Sequence, residues 1–379
     1  MQTMKSSTAS ANENGSIWDL PIRIFHWGTA LSVMVAWISS DTPYFQLHLF
    51  SGYLLLILLI FRLIWGFTGS HYAHFRHFSY PWSAVRQHLR GLLSGNAPSM
   101  AGHNPAGGWM IFLLLGILLL ITITGTLTLG GEERLGPLQG IVTIETGILL
   151  HQVHQVAAWA LALLIPLHLA GVLIERILTG RSIVRAMVTG HYSPYHSEWG
   201  FRRHPVATTA LLLMPLLAFA LSNSENSAVS IYKNSDWRDD SGYALWETEC
   251  GDCHTLHHPS LLPQRSWHRM MSEQHNHFDE DLSIDPQSIQ IITDYLQQHA
   301  AELAQTEAAW RIDNSISPNQ FPIQITETPF WKETHEAIDL QYWDHPSVGE
   351  KLHCDGCHHD AADGTFHNRW IEIPDEAST

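Results

Sequence analysis

The hydrocarbon interior of a bilayer offers a backbone amide no hydrogen-bond partner, so an apolar run of about 17 to 25 residues crosses it as a helix. The first 222 residues hold five such runs, at about 20–39, 48–67, 109–129, 148–175 and 206–222. The fifth, VATTALLLMPLLAFAL, is near the lower length limit and contains Pro215, so a buried helix or hairpin is its competing reading. Charge divides the chain at the same place. Residues 1–222 carry 12 Lys and Arg against 8 Asp and Glu, and residues 223–379 carry 8 against 28. The second part looks soluble, with stretches such as DPQSIQIITDYLQQHAAELAQ at 285–305 placing apolar residues at helical spacing and little strand signal. Its acidity argues against nucleic-acid binding, which needs a basic surface, and suits a basic protein partner.

The connections predict an orientation. Arg76, Arg86 and Arg90 lie between the second and third runs, and Arg176, Arg181, Arg185, Arg202 and Arg203 between the fourth and fifth. The other two connections hold one Arg and several acids. Lys and Arg collect on the cytoplasmic side, so the N-terminus and the basic loops are expected there, and five crossings put everything after residue 222 outside. Residues 1–15 are small and polar, without the apolar core of a cleaved signal. They are expected to form a disordered cytoplasmic tail, with the first helix acting as an uncleaved export signal.

All four cysteines occur in two copies of Cys-x-x-Cys-His, in ECGDCHTLHH at 249–258 and LHCDGCHHDA at 352–361. This spacing suits covalent haem: two thiols reach the two vinyl groups of one porphyrin and the adjacent histidine ligates its iron. Cys250, Cys253 and His254 would hold one haem c, and Cys354, Cys357 and His358 another. A redox dithiol needs one motif and no following histidine, and a zinc site would make that histidine a coincidence twice over. No cysteine is left for a disulfide, so the haems must staple a loop-rich domain. The sixth ligands are open on spacing alone. The candidates include His257, His258, His268, His275, His345, His353, His359 and His367, with Met270 and Met271 as thioether alternatives.

Ionisable side chains inside a membrane are costly and point to function. The fourth run, HQVHQVAAWALALLIPLHLAG, carries His151, His154 and His168. His154 and His168 are 14 residues apart, which on a helix returns to within about 40° of the same face roughly 21 Å further along. Matching depth from the direction in which each run enters, His48 pairs with His154 toward the outer surface and His26 with His168 toward the inner. Two bis-histidine haem b groups would satisfy all four; hydrogen-bonded histidines among helices are the alternative. Arg62 follows His48 by 14 residues and would meet a propionate of the inner haem, or else snorkel to the cytoplasmic interface. The loop histidines His71, His74, His77 and His88 are expected to be solvated.

The segments WDLPIRIFHW, LHLFSGYLLLILLIFRLIWGFTGSHYAHF, GHNPAGGWM and HQVHQVAAWALALLIPLHLAGVLIERILTGRSIVRAMVTG resemble the bacterial dihaem cytochrome b-561 family, which includes the b-type cytochrome subunits of nickel-iron hydrogenases. That resemblance implies a four-helix bundle over 16–190 with haem ligands at His26, His48, His154 and His168. Residues 243–375, with CGDCH, LLPQRSWHRMM, HFDEDLS and CDGCHHDAA, resemble soluble dihaem cytochromes c, and this resemblance implies His277 and His335 as sixth ligands.

The expected architecture is therefore all-α. A cytoplasmic tail (1–15) precedes a transmembrane four-helix bundle (16–190), a cytoplasmic loop and fifth transmembrane helix (191–222), and a mostly helical, loop-rich periplasmic dihaem cytochrome c domain (223–379). The expected function is electron transfer in the bacterial inner membrane, from quinol through two haem b and two haem c to a periplasmic redox protein with a basic docking face. The alternative is a haem-bearing anchor that passes electrons from a partner enzyme to quinone. Membrane lipid is a further expected partner, and a homodimer is among the assemblies open to such a chain.

Overall fold

The computed structural model describes residues 17–40, 44–94, 102–180, 183–190, 204–223 and 237–374. The expected tail at 1–15, together with Arg181, Arg202 and Arg203, lies outside the described residues. Two units divide the chain: one takes Met1–Ile38, Leu47–Gly125 and Gln152–Asn223, the other Ser39–Gln46, Thr126–His151 and Ser224–Thr379. Among the described residues both are helical, and the only β pairings are the isolated bridges His277 with Glu280 and His358 with Ile371.

Each of the five apolar runs is a helix. They are α1 (Leu20–Ile38), α2 (Phe45–Thr68), α4 (Pro105–Gly131), α5 (Ile144–Thr179) and α7 (Pro205–Ser222), with the short helices α3 (Trp82–Leu93) and α6 (Ile183–Thr189) in the connections. Among the described residues α2, α4, α5 and α7 are long and apolar enough to cross a membrane, whereas Arg23 and His26 interrupt α1. The starts carry local signals: Asn104 accepts the amide of Gly107 at 2.7 Å before α4, and Pro205 opens α7 where its missing N–H has no partner to lose. Pro166 and Pro215 lie inside α5 and α7 without ending them.

The core of this unit takes Phe25 from α1, Leu55, Leu58, Leu59 and Phe61 from α2, Leu118 from α4, Leu161 from α5 and Leu211 from α7. The buried hydroxyls of Thr122 and Thr124 bond to carbonyls one turn back, so they need no partner from another helix. Leu163, Leu167 and Phe67 point outward, as lipid-facing side chains can. At the basic-loop end, α6 caps α1: Arg23 donates to the Val188 carbonyl, Trp27 Nε1 to Met187 at 3.3 Å, and the Ile17 amide to Gly190 at 2.8 Å.

The second unit gathers the hairpin between α4 and α5 with helices α8 (Ser241–Cys250), α9 (Gln264–Ser272), α10 (Pro286–Gln298), α11 (Glu307–Ser315), α12 (Pro329–His335) and α13 (Leu340–Trp343). Asp240, Asp285, Thr306, Thr328 and Asp339 cap α8, α10, α11, α12 and α13 through their side chains, which lets short helices form between loops. Their apolar faces close over Trp246, Leu262, Trp267, Met271, Ile292, Tyr295 and Leu296. α10 stops short of the helical pattern read to residue 305, because Ala300 and Ala301 turn inward and Ala301 bonds to the Leu262 carbonyl at 3.0 Å. The hairpin is pinched shut at Gly147, where a Cβ would come within 2.3 Å of the Glu132 amide.

Candidate haem sites

Imidazoles come in pairs. Two imidazoles on opposite sides of one metal, each bonded at about 2 Å, have ring centroids roughly 6 to 6.5 Å apart. The rings of His48 and His154 lie 6.2 Å apart, those of His254 and His277 6.5 Å, and those of His335 and His358 6.1 Å. His26 lies near enough to His168 for their charges to interact. Among the described residues no group of three or more His, Cys, Asp or Glu is drawn together to hold a metal ion.

In the membrane unit, α2 brings His48 and α5 brings His154 to one level. His48 Nδ1 donates to the Ala36 carbonyl at 2.8 Å and His154 Nδ1 to that of Ile121 at 2.9 Å, which directs each metal-binding lone pair to Nε2. The helix opposite His154 is trimmed to fit: a Cβ at Gly125 would lie 3.0 Å from the ring. One turn after His48, a Cβ at Gly52 would meet nothing within 4 Å, which leaves room beside the pair. At the other level His26 Nδ1 is buried without a hydrogen-bond partner. Arg62 is 4% exposed and does not snorkel; its guanidinium lies 4.5 Å from the Phe75 ring centre and its Nη1 has no partner. A buried cation in this state suits an anionic group such as a propionate.

In the second unit each Cys-x-x-Cys-His falls at a helix end or 3-10 turn, Cys250 closing α8 and Cys354 opening a turn to Gly356. Burial, aided by Glu249, pushes the Cys250 thiol up to about 11, and burial with Asp355 does the same for Cys354. A reactive dithiol needs the opposite shift. His254 Nδ1 donates to the Thr255 carbonyl at 2.9 Å and His335 Nδ1 to that of Trp331 at 2.8 Å. His335 also stacks on Trp331 at 4.4 Å, and His358 Nδ1 is buried without a partner beside Phe366. His277 reaches His254 from a turn in which Phe278 and Asp279 have φ of 51° and 71°. His257 lies at the same 6.5 Å from His254 and is its geometric rival. Other candidates are engaged nearby: His258 and His345 with Ser260 and Ser347, His353 with the Val348 carbonyl, His359 with Glu372, and Met271 with Gln274.

Comparison with known proteins matches residues 17–190 to the prokaryotic cytochrome b561 model and residues 246–366 to the dihaem cytochrome c model. The two matches fall on different stretches of the chain, so each part is similar to a different cytochrome family. The cytochrome b561 half is similar to curated proteins described as probable Ni/Fe-hydrogenase B-type cytochrome subunits. That of Rhodobacter capsulatus is 22% identical over 46% of this chain and 80% of the relative, and that of Azotobacter chroococcum mcd 1 is 27% identical over 46% and 86%. The cytochrome c half is similar to the diheme cytochrome c from Rhodobacter sphaeroides, with 32% identity, 32% of this chain, 94% of that chain and a TM-score of 0.28. It is also similar to a diheme cytochrome type c from Shewanella baltica OS155, with 31% identity, coverage of 36% and 95%, and a TM-score of 0.28. The protein is therefore a bacterial membrane electron-transfer cytochrome of b and c type.

Two arrangements escaped sequence reasoning. His88, expected to be solvated, is 3% exposed on α3, because that amphipathic helix turns it inward to within 3.9 Å of Glu175. In the second unit, Glu132 joins the hairpin to α11, taking the His151 ring at 2.8 Å and the Arg311 guanidinium at 2.7 Å. Burial opposes ionisation of Glu132, but the His151 hydrogen bond and the charges of His151 and Arg311 outweigh it and hold the carboxyl below its usual range. Its neighbour Glu133 accepts from Asn368 at 2.9 Å, and burial with the charge of Glu307 pushes it up to about 7. The only sequence signal was a pair of acids at the end of an apolar run.

Proposed function

We propose that this cytochrome carries electrons from membrane quinol, through two haem b and two haem c, to a periplasmic redox protein. The observation that carries the reading is the set of three imidazole pairs at 6.1 to 6.5 Å, and His26 on α1 with His168 on α5 would make a fourth. His48 with His154, and His26 with His168, would hold haem b at two depths. Cys250, Cys253 and His254 with His277, and Cys354, Cys357 and His358 with His335, would hold haem c. Haem supplies one-electron transfer, and a histidine on each side of the iron leaves no position for substrate. Rings whose Nδ1 is fixed by a backbone carbonyl would move little between redox states, which suits conduction rather than catalysis. Arg62 would stabilise the inner site by offsetting a propionate charge.

The basic connections favour a cytoplasmic N-terminus, and with α7 as a fifth crossing the acidic cytochrome c half would stand in the periplasm. The acidic connection 132–143 shares a unit with that half, which agrees with this orientation. The excess of acids over residues 223–379 favours a basic docking face on the soluble partner. Adding a reduced quinol analogue to full-length holoprotein should bring up the α-bands of b and c haem together; haems that all stay oxidised would refute the quinol step.

A second reading follows from the curated relatives, described as hydrogenase cytochrome subunits: a membrane anchor that takes electrons from a partner enzyme and gives them to quinone. Co-purification of a stoichiometric catalytic subunit would favour it over the first.

A further inference from the structure

One face of α5 carries a stripe. His154, Leu161, His168 and Glu175 follow one another at seven-residue intervals, each step about 20° short of two turns and roughly 10 Å long. Leu161 is 5% exposed and belongs to the core, and His154 meets His48 across the same interior. Glu175 therefore continues the line inward, beyond His168 and toward the basic connections. Opposite it stands His88 of α3, with neither ring nitrogen hydrogen-bonded. Its Nε2 is 3.9 Å from Glu175 Oε2, too far for a hydrogen bond. Leaving one buried donor or acceptor without a partner is destabilising, and His88 leaves two. Such a position suits a ligand with a hydroxyl to donate or a carbonyl to accept.

The two depths of histidine pairs say which ligand. If electrons entered at the outer pair and left outward, His26 and His168 would lie on a dead end. Entry beyond His168 uses both levels. We propose that His88 and Glu175 form the proton-accepting end of a quinol-binding site at the inner end of the bundle. This rests on the quinol reading above and names where that substrate binds. Oxidation of one quinol breaks two O–H bonds and yields one quinone. The two electrons would leave one at a time to the haem b that His26 and His168 would hold. Each proton goes to His88 Nε2, where the neighbouring Glu175 carboxylate offsets the imidazolium charge, and then leaves by way of Glu175 to the inner aqueous side.

The test uses full-length holoprotein in detergent and a fluorescent hydroxyquinoline-N-oxide quinone analogue, whose emission is quenched on binding. His88→Leu should weaken its binding at least tenfold while the b-haem spectrum and reduction by dithionite stay unchanged. His88→Gln, a polar replacement that the fold tolerates more readily, should recover part of the affinity. Glu175→Gln should bind the analogue within about threefold of wild type and yet slow quinol-driven haem reduction at least tenfold. Unchanged binding in both His88 variants would overturn the proposal, and so would loss of binding in His151→Leu instead, which would move the site to the outer end. If quinol reduces wild type and His88→Leu alike, this inference alone falls. If it fails to reduce wild type, the functional reading falls with it.

Discussion

An imidazole offers two nitrogens, and the structure commits one of them at His48, His154, His254 and His335 to a backbone carbonyl. That choice fixes the tautomer and leaves Nε2 as the nitrogen with the lone pair, which a metal at one point between paired rings would use. At His254 the point has two claimants, His277 and His257, each 6.5 Å away. His277→Met should convert the first c haem to histidine–methionine ligation, with a thioether-to-iron absorption band and a raised midpoint potential, whereas His257→Ala should leave the spectrum unchanged. The reverse result would make His257 the ligand. The Cys-x-x-Cys-His motifs were legible because their spacing is local chemistry; spacing left their facing histidines open, because His277 comes from a turn with left-handed Phe278 and His335 from the end of α12. Arg62 makes a second case. If the proposed inner haem lies beside it, its buried guanidinium would disfavour the oxidised iron, so Arg62→Gln should lower the midpoint potential of one b haem in a redox titration and leave the other within error. Equal shifts in both, or none, would place Arg62 away from either haem.

At the scale of elements, apolar length located α1, α2, α4, α5 and α7 within a few residues, because a membrane crossing is specified by composition over a whole helix. The hairpin between α4 and α5 was less legible. Its acids read as a solvent-facing loop, yet Glu132 is 2% exposed and Glu133 6% exposed, each bonded to the cytochrome c half. Partners 179 and 235 residues away leave no local trace. A pH dependence follows from Glu133. Its carboxyl is raised from 4.5 to about 7, so the folded chain keeps a proton that the unfolded chain has released. The stability this gives is whole below the unfolded value, declines across pH 4.5 to 7 by at most about 1.4 kcal/mol per pH unit, and is gone above it. Glu133→Gln retains the Asn368 contact and cannot ionise. Thermal melts of holoprotein should therefore show the variant gaining on wild type between pH 5 and pH 8; a constant difference would mean that Glu133 does not titrate in this window.

For the whole molecule, the charge balance changes near residue 222, and the two matched families fall on either side of that point. What composition could not convey is that Thr126–His151 clusters with the second half, since this depends on contacts made only after folding. The claim that binds the parts together is that eight histidines act as four axial pairs. Pyridine haemochrome quantitation on purified full-length protein, normalised to the polypeptide, tests it most directly. Four pairs predict two b-type and two c-type haems per chain; a preparation with c haem alone, or with a single b haem, would contradict the account.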